Sequence, residues 1–347
     1  MGADVLDMAG LTKIIFGAAA FQYVNAGSEL GLFDHLHKTP DLTAEQIGAD
    51  LSLARRPVDT LLLGTTSLGL TVRDGEGRYR NAPLVEQLFA EGQWEIIRDV
   101  IGFEAHIVYP GQQDFTESLR ENTNVGLRRI PGNGPDLYQR LSETPFLQNV
   151  FYKYMRSWSE LANPLLIEKT DLSGVTTLLD AGGGDAVNAI DLARAHPHLR
   201  ITVLEIEQTA PIARRKIVEH GLEDRVQVVV GSIFEPYAGE YDCVLFSHQF
   251  VIWTEEENVR LLRNAHAALR PGGRVIVFNS ITDDTGDGPL MGALDSVYFT
   301  ALPAEGGMIY PWRDYAAWLD EAGFTGIELI PCRSWTPHGI ATGTKPE

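Results

Sequence analysis

The densest run of chemically capable residues in this sequence is Leu178-Leu-Asp-Ala-Gly-Gly-Gly-Asp185. Three consecutive glycines let a backbone turn tightly and approach a ligand with no Cβ in the way. Asp180 and Asp185 make the loop acidic. Glu205 ends a second apolar run, 25 residues after Asp180, with Ile206 directly behind it. A carboxylate at that place accepts hydrogen bonds from both hydroxyls of a ribose. A third apolar run ends in Gly231-Ser-Ile-Phe234. In that turn Ile233 or Phe234 can lie against an adenine face, with Ser232 near its edge. Each signal alone is weak, but after three successive strands they converge on a nucleoside site.

The loop also says which nucleoside. A dinucleotide loop, G-x-G-x-x-G, needs its third glycine so that helix and strand pack closely. After Gly182-x-Gly184 that position is Val187, and Asp185 would repel a pyrophosphate. S-adenosylmethionine (SAM) has no phosphate and carries an amino group and a sulfonium. The acidic D-x-G-x-G loop of Asp180, Gly182 and Gly184 suits it, which leaves NAD(P) as a minor alternative.

Alternating strands and helices must position these residues. Strands are expected at 176–179, 201–204, 226–230, 243–246 and 275–278, with helices near 187–195, 211–220 and 255–269. That order implies an α/β fold with a mostly parallel, Rossmann-like sheet covered on both faces. Ligands then bind at the carboxyl ends of the strands, where the strand order reverses. The sequence changes character near Leu172-Ser-Gly174, so two domains are expected, 1–165 and 166–347.

The first domain reads as mainly helical. Residues 11–36 carry apolar side chains at helical spacing over more than one face, which suggests dimerisation. Thr43-Ala-Glu-Gln46 is a capping box. A helix at 56–68 and a hairpin turning at Asp74-Gly75 complete a winged-helix pattern. DNA is not its expected partner, because Arg55 and Arg56 are the basic residues of the second helix, and the formal charge is −19. Such a charge also disfavours anionic membranes. Cys243 and Cys332 show no metal spacing and read as reduced thiols. With no secretory pattern and no run of about 20 apolar residues, a cytoplasmic protein is expected.

With these motifs in place, the chain resembles the small-molecule O-methyltransferases of plant secondary metabolism and bacterial antibiotic pathways. The resemblance runs over nearly the whole chain. It rests on Leu179-Asp-Ala-Gly-Gly-Gly184, Glu205, Gly231-Ser-Ile-Phe234, Trp253 with Thr-Glu-Glu-Glu-Asn258, Leu262-Arg-Asn264, Leu269-Arg-Pro-Gly-Gly273 and Glu321-Ala-Gly-Phe324. It implies a winged-helix dimerisation region and then a SAM-binding domain. It places Ser247 at the adenosyl end and Met155 and Trp158 along the methionine tail, and it has Trp253 closing the pocket. The family usually has Asp at the positions of Glu205 and Ser232. The first change keeps the chemistry; the second weakens a hydrogen bond to the adenine amino group.

The resemblance breaks at the catalytic base. The family's histidine stands two residues before its tryptophan, where this chain has Val251, and the acid of the following strand is Asn279. His248, at the expected end of the fourth strand, becomes the candidate to orient a substrate, take a proton or ligate a metal; its plainer role is a bond to backbone. Glu104 and His106 are weaker pocket candidates. Asp295, Tyr298 and Phe299 lie on the helix that lines the family's acceptor pocket, and Tyr23 is expected from a partner subunit's N-terminal helix. His35, His37, His196, His198, His220, His266 and His338 form no metal set. The reaction expected is SAM-dependent methylation of a small aromatic metabolite, with carbon of an electron-rich indole or phenol ring preferred. Phenolic O-methylation and metal-assisted C-methylation of a 2-oxo acid are alternatives, and a non-catalytic SAM scaffold is the remaining one.

Overall fold

The structure is a computed structural model that describes residues 6–332, 334 and 336–347. The chain divides into two compact units, 1–105 and 106–347. This boundary differs from the expected division at 165/166, because helix Pro145–Lys169 buries Ala162 and Leu166 in the core of the second unit.

The first unit carries β1 (Leu42–Thr43), β2 (Thr71–Arg73) and β3 (Arg78–Asn81) in an antiparallel sheet of order β1-β3-β2. Thr43 accepts from the Gln46 backbone while the Gln46 side chain reaches back to Thr43 N, so the expected capping box is present at helix Ala44–Asp50. The hairpin turn is held by Asp74, whose carboxylate accepts from the backbone of Glu76 and Arg78. The apolar stretch 11–36 is three helices, Met8–Ile15, Gly17–Glu29 and Leu32–Lys38, rather than one. The last break falls at Gly31, whose φ of 73° suits a residue without a Cβ. Leu32, Leu36, Ile47, Val58, Leu61 and Leu62 form the core of this wing and its helices. Met8, Leu11, Ile14, Ile15 and Phe16 remain exposed.

In the second unit seven strands form one sheet. They are β4 (Thr177–Ala181), β5 (Arg200–Glu205), β6 (Val226–Val230), β7 (Tyr241–Ser247), β8 (Leu269–Ser280), β9 (Thr325–Pro331) and β10 (His338–Thr344). Their order is β6-β5-β4-β7-β8-β10-β9. The five strands expected from sequence are parallel neighbours, and β9 and β10 add an antiparallel edge. Side chains alternate between faces, as the period of a strand demands. Leu178, Cys243, Leu245, Ile276 and Phe278 pack under helices Val187–Ala195 and Ala210–Glu219. Leu179, Val244, Phe246, Val275 and Val277 pack under Glu255–Ala268 and Trp312–Glu321. Each fully buried Leu or Phe stabilises the unit by about 1.5–3 kcal/mol. The order reverses between β4 and β7, which puts the topological switch at the ends of those strands.

Candidate active site

A cavity of about 640 Å³ opens at that switch point, lined from the ends of β4, β5, β6 and β7 and from helix Pro145–Lys169. Gly182, Gly184, Glu205, Ile206, Ser232, Ile233, Phe234, Ser247, His248, Trp253 and Met155 all face it.

The glycine loop is built to let a ligand approach. Gly182 has φ 75°, and a Cβ there would stand 2.7 Å from the Gln249 amide. Gln249 donates to the Gly182 carbonyl at 3.0 Å, so the end of β7 ties down the loop after β4. Beneath the loop lies Asp180, wholly buried and, among the described residues, with no partner for either carboxylate oxygen. Burial, with the charge of Glu205 added, pushes its carboxyl up to about 7. Glu205 accepts from the backbone of Gly184 and of Ile206, at 2.8 Å each. Burial raises its carboxyl too, against the pull of those two N–H groups. Asp185, also on the wall, is paired with Lys216.

At the far side, Phe234 and Trp253 meet edge to face with centroids 5.0 Å apart. The backbone of Trp253 is anchored twice. A Thr254–Glu257 capping box starts the next helix, and Tyr310 Oη donates to the Trp253 carbonyl at 2.8 Å. Ser232 Oγ accepts from the Phe234 backbone at 3.2 Å, so this serine also holds its own turn.

A pocket with a carboxylate at a strand end, a Cβ-free loop and an aromatic corner fits a nucleoside. Glu205 suits the ribose of SAM, whereas Asp180, expected from sequence to bind the cofactor, is buried behind Gly183 and does not line the cavity. The Phe234–Trp253 corner suits the adenine.

His248 follows β7 directly. Its backbone N–H donates to Phe278 O at 2.8 Å, and its φ of 57° puts it in the left-handed region. Histidine tolerates that region better than most residues, and a non-glycine residue held there marks an over-determined place. Its Nε2 is buried without a partner among the described residues, and burial pushes the imidazole down to about 4. The ring is therefore neutral at physiological pH. Val251, where the family resemblance implies a base, is buried in an apolar cluster with Ile252 and Ile309 and does not reach the cavity. Asn279 is fully buried on β8.

Other expected site residues stand elsewhere. Trp158 does not line the cavity; its ring stacks on Tyr154 and lies 5.4 Å from that of His338. Phe299 packs on the Val251 cluster and Tyr298 meets Phe299 edge to face, and neither lines the cavity. Asp295 is half-buried on the same helix, Leu290–Ala301. The His106 ring meets Phe146 edge to face at 5.0 Å. Glu104 opens a π-helix, Glu104–Val108, where burial raises its carboxyl to about 7. In the first unit the Tyr23 ring lies on Gly64. Among the described residues no three His, Cys, Asp or Glu side chains converge to hold a metal ion.

Wall residues not foreseen from sequence are Gln148, Phe151, Tyr152 and Ser159. They share one helix face with Met155, at spacings of three and four, so the position of Met155 implied them. Tyr138 and Asn188 also face the cavity, with no signal in the linear sequence.

The sequence and the fold have known counterparts. An L-tyrosine C(3)-methyltransferase of Streptomyces lavendulae is 55% identical over 348 residues, covering 99% of this chain and 94% of that protein. A 3-hydroxy-5-methyl-1-naphthoate 3-O-methyltransferase of Streptomyces sahachiroi is 28% identical, covering 96% of this chain and 94% of that one. The crystal structure of the S-adenosylmethionine-dependent methyltransferase SibL in its apo form superposes with a TM-score of 0.88 at 47% identity. That match covers 98% of this chain and 100% of SibL. The O-methyltransferase dimerisation domain matches residues 12–90, within the winged unit. The O-methyltransferase domain matches residues 113–325, which hold the whole cavity, and the chain therefore belongs to the O-methyltransferase family.

Proposed function

We propose that this chain is a SAM-dependent methyltransferase that methylates the ring carbon next to the hydroxyl of a phenolic amino acid, with L-tyrosine as acceptor. The observation that carries this reading is the 55% identity, over nearly both full chains, to a protein named for C(3)-methylation of L-tyrosine. The site supports it, because a ring carbon is nucleophilic with the phenol O–H still in place. An oxygen nucleophile would first need a base, and Val251 supplies none.

When bound, SAM supplies a methyl group whose bond to sulfur breaks toward sulfur as the new carbon–carbon bond forms. Glu205 would hold the ribose, and Phe234 with Trp253 the adenine. The wall of Phe151, Met155 and Ile252 excludes water, and holding both reactants together removes much of the entropic barrier. His248 would face the phenol oxygen. Lifting a proton from a resting phenol onto an imidazole near 4 is uphill by about six pKa units, or about 8 kcal/mol. Once the ring carbon gives up its electron pair, the phenol O–H becomes strongly acidic, and neutral His248 takes that proton on Nδ1. When the ring regains aromaticity the C–H proton leaves to solvent and His248 returns its proton to oxygen.

We also read the chain as a cytoplasmic homodimer that does not bind nucleic acid. The matched dimerisation domain and the exposed apolar row from Met8 to Phe16 support the dimer. Two buried free thiols, Cys243 and Cys332, suit a reducing compartment. Among the described residues no helix is long and apolar enough to cross a membrane.

The test is incubation of the purified protein with SAM and ring-¹³C-labelled L-tyrosine. The expected product is 3-methyltyrosine, identified by NMR. O-methyltyrosine, or turnover confined to other phenols, indoles or 2-oxo acids, overturns the assignment.

A further inference from the structure

A second histidine stands behind His248. His338 opens β10, is buried, and has its ring centroid 5.1 Å from that of His248 at 80°. Phe278 lies against both rings, 5.5 Å from His248 and 5.0 Å from His338, and Trp158 lies against His338. The two imidazoles thus share an apolar cell at the edge of the cavity.

The proton on His338 can be placed. Its Nδ1 bonds Thr336 Oγ1 at 2.8 Å. That hydroxyl donates its own hydrogen to Ser334 Oγ at 3.2 Å, so it accepts from His338. A neutral imidazole with N–H at Nδ1 has a bare lone pair at Nε2. His338 Nε2 is buried and unpartnered among the described residues, and so is His248 Nε2. Two unsatisfied nitrogens in one apolar cell are each unfavourable, and they satisfy one another if His248 carries its proton on Nε2. Hydrogen bonds that are open in an unliganded site commonly tighten when it fills.

We propose that His338 is a positioning residue for His248: its Nε2 accepts the Nε2–H of His248, which fixes the tautomer with the lone pair of Nδ1 free for the cavity. A strand-end histidine alone can hold its proton on either nitrogen, and only one choice leaves an acceptor for the phenol. The Ser334–Thr336–His338 chain makes that choice. This rests on the reading of His248 as the partner of the phenol oxygen, but its primary readout does not.

That readout is ¹⁵N NMR of the histidine rings with the demethylated cofactor S-adenosylhomocysteine bound. In the wild-type protein His248 should show N–H at Nε2 and a bare Nδ1. In His338→Phe, which fills the same space without an acceptor, the two tautomers should mix. Turnover of tyrosine should then fall about tenfold, with SAM affinity and the KM for tyrosine little changed. His338→Gln, whose side-chain oxygen can accept, should restore most of both. Thr336→Val should loosen the His248 tautomer with both imidazoles kept, and it decides the matter if His338→Phe does not fold. A wild-type His248 protonated on Nδ1, or one whose tautomer is unmoved in both variants, overturns the proposal. If the tautomers shift as expected but tyrosine is not methylated, the pairing stands and the acceptor assignment fails.

Discussion

Asp180 is a carboxylate buried behind the glycine loop with no partner among the described residues, and it should leave a mark on stability. Its folded pKa of about 7 lies above the value of about 4 of an exposed Asp. Between those values the folded chain keeps a proton that the unfolded chain releases, so stability falls as pH rises through that window. Glu205, raised in the same direction, adds to the slope. The melting temperature of the ligand-free protein should therefore drop from pH 5 to pH 8, and Asp180→Asn should flatten that curve. A wild-type melting temperature that rises over this range would contradict the buried, unpaired carboxylate. Glu205→Ala should weaken SAM binding tenfold or more, since losing a partner to buried hydroxyls costs about 1–3 kcal/mol; calorimetry showing unchanged affinity would remove Glu205 from the site. At His248 the expected loss is in rate. His248→Ala should lower turnover by about 10²–10⁴ with SAM affinity kept. Because its imidazole titrates near 4, His248 should add no inflection to the rate between pH 6 and 8. Near-normal turnover in the alanine variant would make this histidine structural.

The elements around these residues differ in how much change they tolerate. A Cβ on Gly183 would stand 2.5 Å from the buried carboxylate of Asp180 and 3.0 Å from Val203, and neither can withdraw. Gly184 has open space around it, so alanine there meets only the strain of φ 58°, about 1–2 kcal/mol. Gly183→Ala should therefore lower the melting temperature more than Gly184→Ala. The reverse order in thermal unfolding would show that the loop is not packed on Asp180 as described. Helix Pro145–Lys169 shows how far an element is readable in sequence. Its Met155 came from family likeness, and its cavity face of Gln148, Phe151, Tyr152 and Ser159 is set by helical spacing alone. The stretch 11–36 shows the opposite. Its apolar periodicity runs on without interruption, while the chain breaks near Phe16 and at Gly31.

As a whole molecule, the chain leaves Met8, Leu11, Ile14, Ile15 and Phe16 in solvent on the unit that matches a dimerisation domain. Light scattering should find a dimer, and Ile14→Glu with Ile15→Glu should shift it to monomer at micromolar concentration. A wild-type monomer would leave that apolar row unexplained. A net charge of −19 predicts no shift of duplex DNA at any salt concentration, and a salt-sensitive shift would overturn the exclusion.

The sequence by itself determined the parallel sheet, the glycine loop, the strand-end acid and the aromatic turn. Those signals are local: each is a short apolar run with its ligand-facing residues directly behind it, and a parallel sheet brings all such ends to one side. It also showed that the family's base was missing at Val251. What tertiary structure alone decided is the company of His248. His338 stands 90 positions away on a strand whose apolar pattern is broken by glycine and threonine, and in the linear sequence it is one ordinary histidine among nine. The antiparallel return of β10 beside β8 pairs His338 with Ser280 and brings its ring onto Phe278 and His248. Contacts made by long-range strand pairing have no spacing to read, because the intervening chain is free to be of any length.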